Sequence, residues 1–417
     1  MTPPARALRP LFLVVFLPFS TGYFLSFLFR SINAVIAPDL ARDVGLGASG
    51  LGLLTAAFFI GFAAVQLPLG VMLDRWGAAR VQAVLLVLAA AGSAAFAAGD
   101  GLASLLWARA LIGIGCAGGL MAAFKSIVKW YPPQRLTFVN GCYLAVGGLG
   151  AIAATAPVEA LLGVVSWRGV FGGLSVLCLV SAALIFSLVP RGDAVSDPPP
   201  LRTQLRELHG ILRDPLFWRL VPVSLAGMGG TLAIQGLWVG PWLADGVGLD
   251  RGAVATRLLV LSIAMTAGFV LTGLVADALR TRGVSSLTTM AWGTALSIAA
   301  LALITAGIDP SGTWHWIVFG LCGQVTAMVY PAMSRHFGAA FAGRAGTANT
   351  LVVFVGIFAL QSAMGAIIDL WPRSSAGTYP PQAYQAAFAV VLAGLVLGLL
   401  WLVRPGKDRE MALARVV

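Results

Sequence analysis

Charge is what this sequence has least of. Only 10% of its 417 residues are Asp, Glu, Lys or Arg, while 59% are hydrophobic; soluble domains carry about 25% charge. Mean hydropathy is +0.90. A soluble enzyme with one apolar core is excluded, as are a disordered chain and a collagen-like one. Cysteine is scarce too. Cys116, Cys142, Cys178 and Cys322 each fall in an apolar stretch, without CxxC spacing or a nearby His. They read as small core residues rather than a disulfide frame or a metal site. No segment sets a nucleophile beside a base or clusters metal ligands, so neither an enzyme nor a cofactor is expected.

What the chain has is long apolar runs. A spanning helix needs roughly 20 such residues. The runs predict spans at 11–36, 49–73, 79–99, 102–124, 137–162, 167–189, 217–243, 254–277, 284–306, 314–337, 346–371 and 384–403. This is an all-α membrane protein with twelve transmembrane helices. The opening "MTPPARALRP" precedes a run with no small-residue cleavage site, so it reads as a retained first span. The longest polar interruption is "PRGDAVSDPPPLRTQLRELHGILRDP". Its prolines stop helix continuation, and "LRTQLRELHGILR" suits a short amphipathic helix at the membrane surface. Six spans precede it and six follow. The expected domains are therefore an N-terminal six-helix bundle at 1–189, a cytoplasmic linker at 190–215, and a C-terminal bundle with a short tail at 216–417.

The net charge of +11, from 27 Lys+Arg against 16 Asp+Glu, would suggest nucleic acid in a soluble protein. Here the basic residues are strung between apolar segments and report topology. Twenty lie on one side and five on the other, with Arg30 and Arg109 inside spans. The positive-inside bias then puts both termini and the linker in the cytoplasm of a bacterial inner membrane. The expected partners are the lipid bilayer and a small-molecule substrate, with no nucleic acid and a monomeric chain.

The two halves echo one another. "GVMLDRWGAAR" ends span 2 and "GLVADALRTRG" ends span 8, with Asp74 and Asp277 at 203 residues' separation. Arg135 and Asn140 open span 5 as Arg344 and Asn349 open span 11, at a separation of 209. Two parallel, pseudo-symmetric six-helix bundles follow. Such halves suit a carrier with its site near the midplane.

The span 2 stretch resembles the loop signature G-x-L-x-D-R-x-G-x-x-R of the major facilitator superfamily. It carries Gly70, Leu73 one place late, Asp74, Arg75, Gly77 and Arg80. "RALIGIG" in span 4 resembles the family's R-x-x-x-G-x-G, with Arg109, Gly113 and Gly115. The resemblance implies a gate at Gly70, Asp74, Arg75 and Arg80, with Asp277 as a weaker mirror; a tight turn with solvated charges is the plainer reading. It also implies a buried structural or coupling role for Arg109, with Gly113 in the same motif. "RSINAVIAPDL" and "ATAPVEALLG" resemble a bacterial branch holding copper importers and riboflavin carriers. Copper is disfavoured, since neither a Met-x-x-x-Met nor a His-x-x-x-Met pair is present. The Gly-x-x-x-Gly-Pro pattern of drug–proton antiporters is also missing from span 5.

Candidate substrate contacts follow from helical spacing. Tyr23, Phe27 and Arg30 share a face of span 1, as do Ser26, Arg30 and Asn33. A mid-span arginine costs roughly 2.5–3.5 kcal/mol on insertion scales. It either holds a carboxylate or phosphate or snorkels to headgroups. Span 7 carries Met228, Thr231, Gln235, Trp238 and Trp242 in one stripe, and span 10 adds Gln324, Met328 and Tyr330. Helix packing with an interfacial belt is the alternative, and the better one for Trp242, Trp314 and Trp316. Glu159 and Asp369 occupy matching positions near the outer ends of spans 5 and 11. Glu159 is the candidate proton-coupling carboxylate, or else a helix cap or the partner of Arg168.

The expected function is secondary active or facilitative transport of a small organic solute, anionic or vitamin-like, by alternating access. Efflux of amphipathic toxic compounds is the rival. A receptor or assembly factor on a carrier fold is the second.

Overall fold

In hydrocarbon, a backbone N–H or C=O without a partner costs several kcal/mol, so apolar runs of this length become helices. The computed structural model describes residues 11–190, 201–309, 312–375 and 377–405. Among them are twelve helices long and apolar enough to cross a membrane: α1 (Phe12–Ser31), α2 (Ala48–Trp76), α3 (Ala78–Ala98), α4 (Leu102–Trp130), α5 (Phe138–Leu162), α6 (Trp167–Leu188), α7 (Pro215–Gly246), α8 (Arg251–Arg280), α9 (Ser286–Thr305), α10 (Trp314–Phe337), α11 (Gly343–Ile368) and α12 (Pro381–Val403). The described residues contain no strand. The first apolar run, expected to reach residue 36, breaks at Ile32 and restarts as the helix Asn33–Val44.

Helix ends follow local chemistry. Ser166, Asp250 and Ser285 cap α6, α8 and α9, each accepting an amide of the first turn. Asp214 caps α7 through the Leu216 and Phe217 amides, at 2.8 and 3.4 Å. Between α2 and α3 the chain turns on Gly77 alone, at φ +82°. A β-carbon would strain that conformation.

The chain divides into two compact units, Met1–Val44 with Ala57–Leu201, and Gly45–Ala56 with Arg202–Val417. Taken separately, both use the same pairings. In the first, α3 packs on α4 and α6, and α1 on α5 and α6. In the second, α9 packs on α10 and α12, and α7 on α11 and α12. These are the same contacts six helices later, the structural form of the repeat seen in the sequence. The surface helix Leu201–Leu212 forms where an amphipathic segment was expected. It buries Ile211 in an apolar cluster with Phe217 and Met333, and pairs Glu207 with Arg344 at 3.0 Å.

Lipid chains are as apolar as leucine, so close packing rather than water exclusion holds the helices together. A β-carbon on Gly113 would sit 2.0 Å from the Phe58 carbonyl oxygen of α2. Gly113→Ala is expected to cost about 1–3 kcal/mol through overpacking, seen as a lower melting temperature in detergent. Gly173→Ala, with nothing within 4 Å of its β-carbon, should leave that temperature level or raise it through better helix propensity.

Candidate functional site

In the first unit the residues of interest gather on α1. The Arg30 guanidinium stands 4.6 Å from the Phe27 ring centroid and 4.8 Å from that of Phe62 on α2. Its Nη2 donates to Ser26 Oγ one turn earlier, at 3.4 Å. Arg30 is 9% exposed and Asn33, three residues on, is buried. The face read from the sequence thus brings Ser26, Phe27 and Arg30 together and α2 adds Phe62, while Asn33 lies past the break at Ile32 and opens the next helix. A guanidinium between two rings gains a cation–π attraction of up to about 2 kcal/mol when desolvated. Tyr23 joins the same group, its ring edge-on to Phe27 at 5.0 Å. Its ring stacks on Tyr143 at 4.6 Å, and Tyr143 donates to the Gly119 carbonyl at 2.6 Å. Tyr23 thus links the Phe27 and Arg30 group to the α1–α5 contact.

Arg109, 1% exposed, is held without a carboxylate among the described residues. Its Nη1 donates to the Phe29 carbonyl at 3.0 Å, and its guanidinium lies 5.3 and 5.6 Å from the Phe96 and Phe171 rings. Carbonyl and ring quadrupoles stand in for a counter-ion. Gly113, one turn further, lets α4 cross α2 at backbone contact.

In the second unit, α7 departs from regular α-helix. Three π-turns interrupt it, at Leu225–Gly229, Ile234–Trp238 and Trp242–Gly246. In α10 the segment Gln324–Met328 tightens to 3-10 form. Such interruptions commonly accompany functional sites, and here they carry the candidate side chains. Gln235 Nε2 donates to Ser262 Oγ on α8 at 3.3 Å. Thr231 lies against Gly323, and Gly227 against Thr326, which ties α7 to α10. Gln324 Nε2 and Trp238 Nε1 are buried donors with no acceptor among the described residues. Met228 and Met328 are half-buried. Trp242 corrects the interfacial expectation. It is 1% exposed and packs against Tyr384 and Phe388, because the last π-turn keeps it inside the unit.

At the α2–α3 turn, Asp74 pairs with Lys125 of α4 at 2.7 Å, and Lys125 also donates to the Leu73 carbonyl at 2.8 Å. The sequence grouped Asp74 with Gly70, Arg75 and Arg80 and did not single out Lys125. Gly70, Arg75 and Arg80 are exposed. Asp277 is exposed and pairs only weakly with Arg280, at 3.5 Å in the next turn. Glu159 is half-buried in the short helix Ala156–Leu162. Arg168, its suggested partner, donates to Asp100 at 3.2 Å.

Sequence reasoning missed Asp245. It counted this residue as loop, but the π-turn Trp242–Gly246 carries it inward, where its carboxylate accepts from Tyr384 Oη at 2.6 Å and from the Tyr379 amide at 3.2 Å. No periodic signal marks that placement. It depends on a helical irregularity.

A sequence profile of the Major Facilitator Superfamily matches residues 19–360. The hexuronate transporter of Bacillus subtilis (strain 168) is 30% identical over 184 residues, 43% of this chain and 43% of that protein. The chloramphenicol resistance protein of Streptomyces lividans is 29% identical over 256 residues, 58% of this chain and 62% of that protein. Neither match reaches two thirds of the relative's own length. Among solved structures, a bacterial homolog of the human lysosomal transporter Spinster superposes with a TM-score of 0.71 at 18% identity, over 99% of this chain and 97% of that one. That likeness is of fold. With twelve membrane-length helices, a repeated pairing pattern and a profile match across most of its length, the chain belongs to the Major Facilitator Superfamily.

Proposed function

We propose that this protein is a carrier of the bacterial inner membrane, both termini cytoplasmic, that moves a small organic anion by alternating access. One observation supports it above the rest: a buried guanidinium, Arg30, framed by Phe27 and Phe62 on α1 and α2. A guanidinium binds a carboxylate in two parallel hydrogen bonds. The buried donors of the second unit, Gln324 Nε2 and Trp238 Nε1, would serve carbonyl or hydroxyl oxygens, and Gln235 on its π-turn would add an amide. A hexuronate carries both kinds of group, and the Bacillus subtilis relative bears that substrate in its name. The Streptomyces lividans relative favours a second reading, export of an uncharged amphipathic compound that rests on the aromatic residues alone. Glucuronate and chloramphenicol fluxes in proteoliposomes, measured in both directions, separate the two.

Arg30→Ala should cut glucuronate uptake at limiting concentration by at least tenfold, chiefly through KM, and Arg30→Lys should recover part of it. Unchanged uptake by the Ala variant would remove Arg30 from the site.

Asp74 would bias the access equilibrium through Lys125. A half-exposed pair contributes about 1 kcal/mol or less, so its loss shifts a two-state balance several-fold. Asp74→Asn and Lys125→Met should each lower Vmax several-fold with little change in KM. The double variant should match Lys125→Met alone, because that substitution already removes the Asp74 bond along with the one to the Leu73 carbonyl. Strictly additive losses would show that the two residues act apart.

A further inference from the structure

The end of α2 remote from Asp74 is finished by another part of the chain. A helix leaves its first amides unbonded, and a side chain of the preceding residue normally caps them. Before Ala48 stands Gly47, which has no side chain to offer. Asp369, just past the end of α11, takes its place. Its Oδ1 accepts from the Ala48 amide at 3.2 Å and its Oδ2 from the Ser49 amide at 2.7 Å. A carboxylate there also meets the positive end of the helix dipole.

Four neighbours, linked through Tyr379, hold this cap in place. Tyr379 Oη donates to Asp369 and accepts from the Ala48 amide at 3.2 Å. Arg373 Nε donates to Tyr379 Oη at 2.8 Å, and its Nη2 donates to the Leu46 carbonyl at 3.3 Å. Tyr379 in turn gives its own amide to Asp245, which Tyr384 also holds. The backbones meet directly as well. A β-carbon on Gly52 would lie 2.5 Å from the Gln361 carbonyl oxygen, and one on Gly365 would lie 2.5 Å from that of Ala48.

All of these residues belong to the second unit, which includes Gly45–Ala56. The same helix continues without interruption into the first unit from Ala57. A cap drawn from some 320 residues away on a helix shared between two units can be broken and remade, whereas a local cap stays with its helix. We propose that Asp369 is a positioning residue of the transport cycle: a latch that holds the N-terminal end of α2, releases it when that end moves, and recaptures it on return. The proposal rests on the carrier reading for its purpose, and its contacts can be tested without a substrate.

Protonation follows from the same geometry. Burial alone would raise the Asp369 carboxyl. Hydrogen bonds from Ser49, from Tyr379 and from the Ser49 and Ala48 amides outweigh it and leave the group below its ordinary value. The groups facing it are Ser49 of α2 with Tyr379 and Arg373 of the following segment; Asp245 of α7 and Tyr384 of α12 stand behind Tyr379. A lowered value means that the cap's contribution is complete above the ordinary Asp range, near pH 4, and is lost only as pH falls further. The melting-temperature gap between wild type and Asp369→Asn should therefore be flat from about pH 5 to 8 and close below about pH 4. A gap that closes near neutrality would assign it to another group.

The latch itself is read by labelling. Ala48 is buried under it, whereas Val164 is 82% exposed. In a background with the four native cysteines changed to Ala, Ala48→Cys in lipid nanodiscs should react slowly with a maleimide. Adding Asp369→Ala should speed the reaction about tenfold, and Asp369→Glu should restore the slow rate. Val164→Cys should react equally fast with or without Asp369→Ala. An Ala48→Cys rate indifferent to Asp369 would overturn the proposal. So would a gain shared by Val164→Cys, which would reveal general loosening. If Asp369→Ala fails to fold, Asp369→Asn carries the same comparison. Wild-type proteoliposomes that move neither glucuronate nor chloramphenicol would count against the carrier reading and leave the labelling result standing.

Discussion

The rest of this structure depends on backbone hydrogen bonding in a medium that offers no substitute. In lipid, each amide and carbonyl must be bonded along its own helix or by a side chain that reaches it. Most of the chain obeys by forming regular α-helix, and that regularity makes the exceptions informative. Three π-turns in α7 and a 3-10 stretch in α10 give up ideal ladder geometry inside the second unit. They lie where α7 and α10 meet through Gly227, Thr326, Thr231 and Gly323. Gln235, Trp238 and Gln324 sit on them. An irregular ladder costs stability, so its coincidence with Gln235, Trp238 and Gln324 points to a role beyond packing.

The same constraint governs the buried cations. Arg109 meets no carboxylate among the described residues, and a backbone carbonyl and two rings do the work instead. This arrangement keeps a positive charge in the first unit without neutralising it, and Arg30, between Phe27 and Phe62, adds a second guanidinium on α1. A salt bridge would have satisfied the Arg109 charge more simply and left it no electrostatic preference for an anion. The second unit too holds a buried guanidinium, Arg219, which donates to the Leu402 carbonyl at 3.0 Å.

Much of this was legible in the sequence. The spans, the duplication and the family signature rest on run length and on repeated Gly, Asp and Arg spacing, which survive any detail of packing. The face joining Tyr23, Ser26, Phe27 and Arg30 was legible because α1 is regular there. The stripe on α7 was less so. That helix is the most enclosed of the twelve, so buried and exposed faces do not alternate along it, and each π-turn resets the spacing on which periodicity relies. Trp242 and Asp245 were misread for this one reason. Lys125 was missed differently. It was counted toward topology, yet the same count set it at the end of span 4, on the side of Asp74, within reach of the right partner. The Asp369 cap was beyond reach, because it joins residues some 320 positions apart that share no pattern.

Helix α2 draws these strands together. At its C-terminal end Lys125 donates to the Leu73 carbonyl while neutralising Asp74. At its N-terminal end Asp369 accepts the Ala48 and Ser49 amides. A cation at the negative end and an anion at the positive end are what the helix dipole favours, and both come from other spans. Neither end is therefore secured by α2's own sequence: Gly47 offers no cap, and Asp74 needs α4. A helix whose two ends are completed by different partners can exchange one bond for another without unfolding. Its length of 29 residues lets a small tilt displace both ends at once. The Gly-rich contacts along it, Gly52 against α11 and Gly61 against the Ala110 carbonyl of α4, are smooth enough for such a tilt, since they interlock few side chains. On the latch proposal, the charges at its tips rather than the packing along its length decide which position the helix holds.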